Sequence, residues 1–473
     1  MFTPLADSPS AAARGLAIRL LTSMTEATST TERPITRWLA AAPPAVLAAY
    51  AIACSFATYF AMFAFRKPFA AASYDRRLSE GGTLGLKSAL VIGQVVGYGL
   101  AKWIGVKFIS ETSRSRRAPL LVLMIVAAEV ALALFAVVPD AWRPLAMFLN
   151  GLPLGMVWGL VVWYLEGRRA SEVLLAGLSC SFIVASGAVQ DVGRAVLAGD
   201  PLPLLGVTLP NPIGRPVDEF WMPFAVGALF LLPFVVAVWL LDQLPEPTAA
   251  DVAARSIREP MDRSQRLDFL RRFLPGLLGL FAAYFFITAF RDFRDNFIVD
   301  LFTELKYPYE QNKSIVTRSG LWIGLGVAVA MGLIYFVRDN RRGLMAVFGV
   351  IAGGLLLVGG ATWLHARGQI DGFWWMTLIG LGSYLAYVPY NSVLFERLIA
   401  STRVAGTAVF AIYVADSIGY VGTVSMLLYK DFGAKASSRA EFLAAFSYAL
   451  AIAGALGLLL IAAYFHKVTK EAK

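Results

Sequence analysis

The sequence predicts an all-α membrane protein of about twelve transmembrane helices in two pseudo-symmetric six-helix bundles. Three observations carry that expectation. Twelve apolar runs are long enough to cross a hydrocarbon core of about 30 Å, which takes roughly 20 residues each. The longest polar break falls in mid-chain, with six runs on either side of it. The third is a repeat: YFAMFAFR at Tyr59–Arg66 returns as YFFITAFR at Tyr284–Arg291, near the end of the first run of each half. Composition agrees. The chain is 58% hydrophobic and only 16% charged, with mean hydropathy +0.64, whereas soluble domains carry roughly 25% charged residues.

The expected spans, in order, are 44–65, 86–110, 118–138, 144–165, 174–198 and 220–241 in the first half. Those of the second half are 273–290, 318–337, 343–364, 373–394, 406–429 and 441–464. Residues 1–43 precede them as a tail with one weakly amphipathic patch, GLAIRLL, and no cleavable signal peptide. The first bundle is expected over 44–242. Residues 243–272 hold three prolines, mixed charge and no apolar run, which is the composition of a linker. The second bundle follows over 273–465, and 466–473 form a C-terminal tail. Repeats of six helices related by an axis along the membrane normal place a solute site between the halves.

Lysine and arginine set the orientation. With both ends on one side, 24 of the 42 basic residues fall on that side, so both termini are expected in the cytoplasm. The formal charge of +10 lies in short inter-helix loops, so it reads as a topology signal with lipid contact rather than a nucleic-acid surface. Cys54 and Cys180 lie in separate apolar runs, with no disulfide framework or metal spacing. No Walker A loop, HExxH or GxSxG occurs, which argues against an ATP-driven pump and an intramembrane enzyme. No cofactor and no metal is expected.

Ionisable groups inside a bilayer are costly and are functional candidates by default. Arg66 and Arg291 close the repeated motif; a guanidinium offers a planar fork of donors that matches phosphate or carboxylate. Two of them at related positions would hold one anion between the halves. The competing reading is snorkelling at a helix end, which fails if the helices run on past both arginines. Lys102 lies well inside its span with no acid nearby in sequence. Tyr59 and Tyr284 precede their arginines by seven residues and share a helix face with them. Each of the two serves as a ligand hydroxyl or as a packed core aromatic. Glu129 and Asp416 are candidate proton carriers or structural counter-ions, and Asp191 pairs locally with Arg194. Asp292, Arg294 and Asp295 read as a gate cluster.

At these residues the chain resembles the organophosphate:phosphate antiporters of the major facilitator superfamily. ATYFAMFAFRKPF resembles that family's first helix, YGLAKWIGV its second and NGLPLGMVWG its fourth. AFRDFRDNFIVDLFTELKY resembles the seventh, and VAGTAVFAIYVADSIGYVGT the start of the eleventh. The resemblance implies the major facilitator fold and exchange or uptake of a small organic anion, such as a phosphate ester, by alternating access. It assigns Arg66 and Arg291 to the phosphate, with Lys102 and Tyr59 in the cavity. It further implies a monomer in the lipid bilayer of a bacterial inner membrane, with a small anionic solute as partner and no nucleic acid. Two departures stand out. VKFISETSRSRR lacks the superfamily's Asp-Arg after the second helix, and LLAGLSCSFIVASG lacks the fifth-helix histidine. A proton-coupled transporter of another solute, or a non-transporting membrane sensor on the same fold, are the alternatives.

Overall fold

A computed structural model describes residues 33–110, 113–166, 168, 171–248, 251, 271–402, 408–434 and 436–471. The GLAIRLL patch and most of the linker lie outside the described residues. Twelve long helices run in chain order: α1 Pro44–Phe63, α2 Leu86–Ser110, α3 Arg114–Val137, α4 Arg143–Leu165, α5 Ser171–Ala198 and α6 Met222–Leu241. The second half holds α7 Leu274–Asn296, α8 Ile315–Tyr335, α9 Asn340–Ala366, α10 Gly372–Ser392, α11 Ala408–Leu428 and α12 Arg439–Glu471. Between α5 and α6 sits a small hairpin, β1 Leu202–Leu204 with β2 Val207–Leu209. Its two-residue turn puts both Leu205 and Gly206 at positive φ, as a primed turn requires.

The packing repeats with the sequence. α1 packs on α5 and α6 as α7 packs on α11 and α12; α2 lies on α4 as α8 lies on α10. α3 touches α4 and α6 as α9 touches α10 and α12. The halves meet along α5 with α8 and along α2 with α11, and these two seams are themselves related by the repeat. Small residues permit the closest approaches, as is usual where helices associate in lipid. A Cβ added at Gly97 of α2 would stand 2.1 Å from the Phe148 carbonyl oxygen of α4, so any larger side chain there forces the two helices apart.

Ten of the twelve helices are long and apolar enough to cross a membrane. The other two, α2 and α10, are long enough but carry Lys87, Gln94 and Lys102, or Tyr384, Tyr387 and Asn391. Those side chains face the protein interior rather than lipid. The outward faces are apolar instead, with Phe336, Leu460 and Leu232 among the most exposed side chains. The chain is a multi-pass membrane protein.

The first helices of the two halves differ at their ends. α1 ends at Phe63 and the chain passes through a turn into a short 3-10 helix, Pro68–Ala71. Proline has no amide proton and cannot continue the ladder. In α7 the corresponding position is Phe293, and the helix runs unbroken through Arg291 to Asn296. Continuation past the arginine therefore holds for the second half and not for the first.

Candidate functional site

A cavity of 480 Å³ lies between the halves, within the range of about 300–1,000 Å³ usual for small-molecule sites. It runs from Arg66 and Arg291 at its deep end to Glu166 and Glu396. Those two acids follow the ends of α4 and α10, on the face that carries the linker and the end of α12. Both acids are part-exposed, while Lys87, Asn296 and Asp300 beyond the deep end are buried, so the cavity opens toward the face of the two acids.

Arg66 is placed by what holds its backbone. Carbonyls in the turn after a helix have no place in its ladder, and here buried side-chain amides from two neighbouring helices donate to them. Gln94 Nε2 of α2 donates to the Arg66 carbonyl at 2.9 Å and to Asn150 Oδ1 at 2.8 Å. Asn150 Nδ2 of α4 donates to the Phe65 carbonyl at 3.1 Å and to that of Ala128 at 3.0 Å. The guanidinium then lies over the Tyr98 ring, 4.1 Å from its centroid. It makes no ion pair with any described residue, and its Nε is buried without a hydrogen-bond partner.

Arg291 reaches the same cavity from α7, stacked 3.7 Å from the Tyr387 centroid, but it is already paired with Asp292. Asp292 also accepts from Thr423 Oγ1 at 2.8 Å. Lys102, without an acid near it in sequence, meets one in space: it is ion-paired with Asp416 of α11 across the seam between the halves. Tyr59 lines the cavity, its hydroxyl 3.3 Å from that of Tyr98. Tyr284 does not line it. The ring is fully buried, and its hydroxyl donates to Asp416 Oδ1 and accepts from Asn391 Nδ2, each at 2.7 Å. Its place is behind Asp416, holding that carboxylate toward Lys102.

Glu129 lies apart from these groups, buried between α3 and Gly227 of α6 with both oxygens unpartnered. It is not a cavity residue. Of the expected gate cluster, Asp292 and Asp295 line the cavity, while Arg294 turns into its own half. There it binds Asp295 at 2.7 Å, Ser319 and the Met376 carbonyl. The links that cross the halves on the closed face come from other residues. Lys67 donates to Asn296 at 2.7 Å, and Lys87 is ion-paired with Asp300, both fully buried. The expected Asp191–Arg194 pair is present at 3.0 Å, and it too spans the halves. Asp191 Oδ2 accepts from the Thr317 amide and hydroxyl at 2.7 Å each, and Arg194 donates to the Asn312 carbonyl. Outside the helices, Lys313 binds Asp200 at 2.7 Å, and that hydrogen bond holds the Asp200 carboxyl below its ordinary range. Sequence reading had no means to find Lys87, since its partner stands 213 residues away.

The charges at the deep end do not cancel. Arg66, Lys67, Lys102 and Arg291 line it with Asp292, Asp295 and Asp416, and Arg294 is paired with Asp295 behind the wall, so five cations stand with three carboxylates there, while Glu166 and Glu396 stand at the open end. What this can do chemically is hold an anion: Arg66 offers a fork of donors with no acid among the described residues upon it. Among the described residues no group of His, Cys, Asp and Glu is placed to hold a metal ion.

Comparison with known proteins follows the fold. The crystal structure of a D-xylose-proton symporter superposes with a TM-score of 0.57 at 14% identity, covering 90% of this chain and 98% of that one. A peptide transporter in complex with alafosfalin gives 0.56 at 14% identity, covering 89% and 95%. At that identity the likeness establishes the fold, which is the major facilitator fold. No curated protein matches the sequence. The profile of a family of unknown function, DUF5690, matches residues 68–468, and the chain belongs to that family.

Proposed function

We propose that this protein is a secondary transporter that carries a small organic anion across the membrane by alternating access. The observation that carries the reading is the Arg66 guanidinium: it faces a cavity between two bundles, stacked on Tyr98 and without an acid partner among the described residues. An unpaired cation in a membrane interior is expensive to keep, and an anionic ligand with Arg291 on its other side would satisfy it. In this reading the anion binds between Arg66 and Arg291, and the halves 44–242 and 273–465 rock about it. With both termini cytoplasmic, the cavity faces the cytoplasm. A phosphate ester exchanged for phosphate is the finer form of the proposal. The Lys102–Asp416 pair favours one rival, a proton-coupled cycle in which protonation of Asp416 frees the seam between α2 and α11.

The test is equilibrium binding to the full chain in lipid nanodiscs, with inorganic phosphate, methyl phosphate, acetate and neutral glucose. Saturable binding of at least one anion, and none of glucose, is the expected result. If no anion binds between pH 5 and 8, the anion reading is wrong.

A further inference from the structure

Between the charged deep end and the two acids at its open end, the cavity wall is largely aromatic. Six aromatic rings form a chain around it. Tyr420 of α11 meets Tyr98 of α2 edge-on at 5.9 Å between centroids, and Tyr98 shares a hydroxyl contact with Tyr59. Tyr59 packs edge-on against Trp158 of α4 at 4.9 Å, and Trp158 against Phe182 of α5 at 6.1 Å. Phe182 reaches Tyr384 of α10 at 6.2 Å. This belt passes from one half to the other twice, at Tyr98–Tyr420 and at Phe182–Tyr384, and all six rings line the cavity. Several polar atoms beside it are already engaged. Ser179 and Ser392 donate to carbonyls of their own helices at 2.8 Å, and Tyr384 donates to Asp295 at 2.5 Å.

We infer that the ligand of this cavity is an anion with a flat aromatic body, an aryl carboxylate or aryl phosphate, rather than the phosphate of a polyhydroxylated chain. The inference rests on the proposed anion site. Arg66 and Arg291 take the acidic group, each presenting the edge of a guanidinium whose face is covered by a tyrosine. The ring then lies toward the open face, against Trp158 and Phe182, with which it makes the offset or edge contacts aromatic pairs prefer. A polyol in the same place would leave hydroxyls against ring faces, where unmade hydrogen bonds cost affinity.

The experiment compares ligands of one charge and differing bodies on the full chain in nanodiscs: phenyl phosphate against methyl phosphate and glycerol 3-phosphate, and benzoate against acetate, with neutral phenol as control. The aryl anion is expected to bind on the order of tenfold more tightly than its alkyl counterpart, from ring contact and buried area. Trp158→Leu is expected to bring the affinities of aryl and alkyl anions to within about twofold of each other. The wild-type comparison stands whether or not the variant folds. Equal affinity of aryl and alkyl anions overturns the inference and leaves the anion site intact. An aryl preference untouched by Trp158→Leu in folded protein overturns the belt as its cause. Phenol binding as tightly as benzoate, or no anion binding at all, overturns the anion site and this inference with it.

Discussion

Arg66→Ala is expected to weaken anion binding on the order of 10- to 100-fold, with little loss of folded protein. Hydrogen bonds to charged groups contribute about 1.5–3 kcal/mol, and every 1.4 kcal/mol is about tenfold in affinity. The variant strands no acid, because Arg66 has none among the described residues, so thermal unfolding should stay close to wild type. Arg66→Lys keeps the charge but loses both the planar fork and the stack on Tyr98, and should bind weakly. Arg291→Ala differs in kind. It leaves Asp292 buried without its cation, so stability as well as binding should fall. Adding Asp292→Asn should recover the stability and not the binding. Wild-type affinity in folded Arg66→Ala protein would remove the residue from the site.

The second large effect is expected on the opposite face. Lys87 and Asp300 are both buried and cross the two halves, with Lys87 also donating to the Ala70 carbonyl at 2.9 Å. Removing one member of a buried pair typically costs about 3–5 kcal/mol, because the other charge is left in a poor solvent, whereas replacing both by apolar groups can be neutral. Lys87→Ala should therefore unfold at a lower temperature and show faster amide exchange over 83–92 and 298–304. Lys87→Met with Asp300→Leu should recover most of the unfolding temperature. The seal itself would still be weaker, since the apolar pair has no directional link between halves. Unchanged unfolding of Lys87→Ala would show the pair to be idle.

Much of the fold was legible because lipid imposes a single requirement, and the apolar runs record it. The second run, 86–110, matches α2 throughout. The seventh was read as ending at the first arginine, yet α7 continues to Asn296. Arg291, Arg294, Asp292 and Asp295 are neutralised inside the protein, and a linear scan counts them as a boundary. The hairpin was missed because three-residue strands carry no period to detect. At the site, types and depths were readable but pairings were not. Lys102 and Asp416 were singled out separately, and 314 residues of chain hide that they are one ion pair. Tyr59 and Tyr284 occupy the same place in the repeat, yet only Tyr59 faces the cavity; what differs is the acid beside Tyr284, a matter of the partner helix.

The unequal charge count at the deep end has a consequence in a different currency, the membrane voltage. In the proposed cycle the empty deep end, with Arg294 counted behind its wall, would carry about two positive charges through each reorientation. Moving one elementary charge through the full field costs about 2.3 kcal/mol per 100 mV. With the linker face in the cytoplasm and the interior negative, the unloaded protein would be held facing inward. A bound dianion cancels the surplus and lets the halves move without regard to voltage. In the proposed cycle such a protein would exchange readily and accumulate slowly: in proteoliposomes, anion-for-anion exchange should ignore an imposed potential, while net uptake should slow as the interior is made more negative. Equal voltage dependence of both would mean that the empty site loses its surplus in another way, by releasing protons or by keeping a counter-anion.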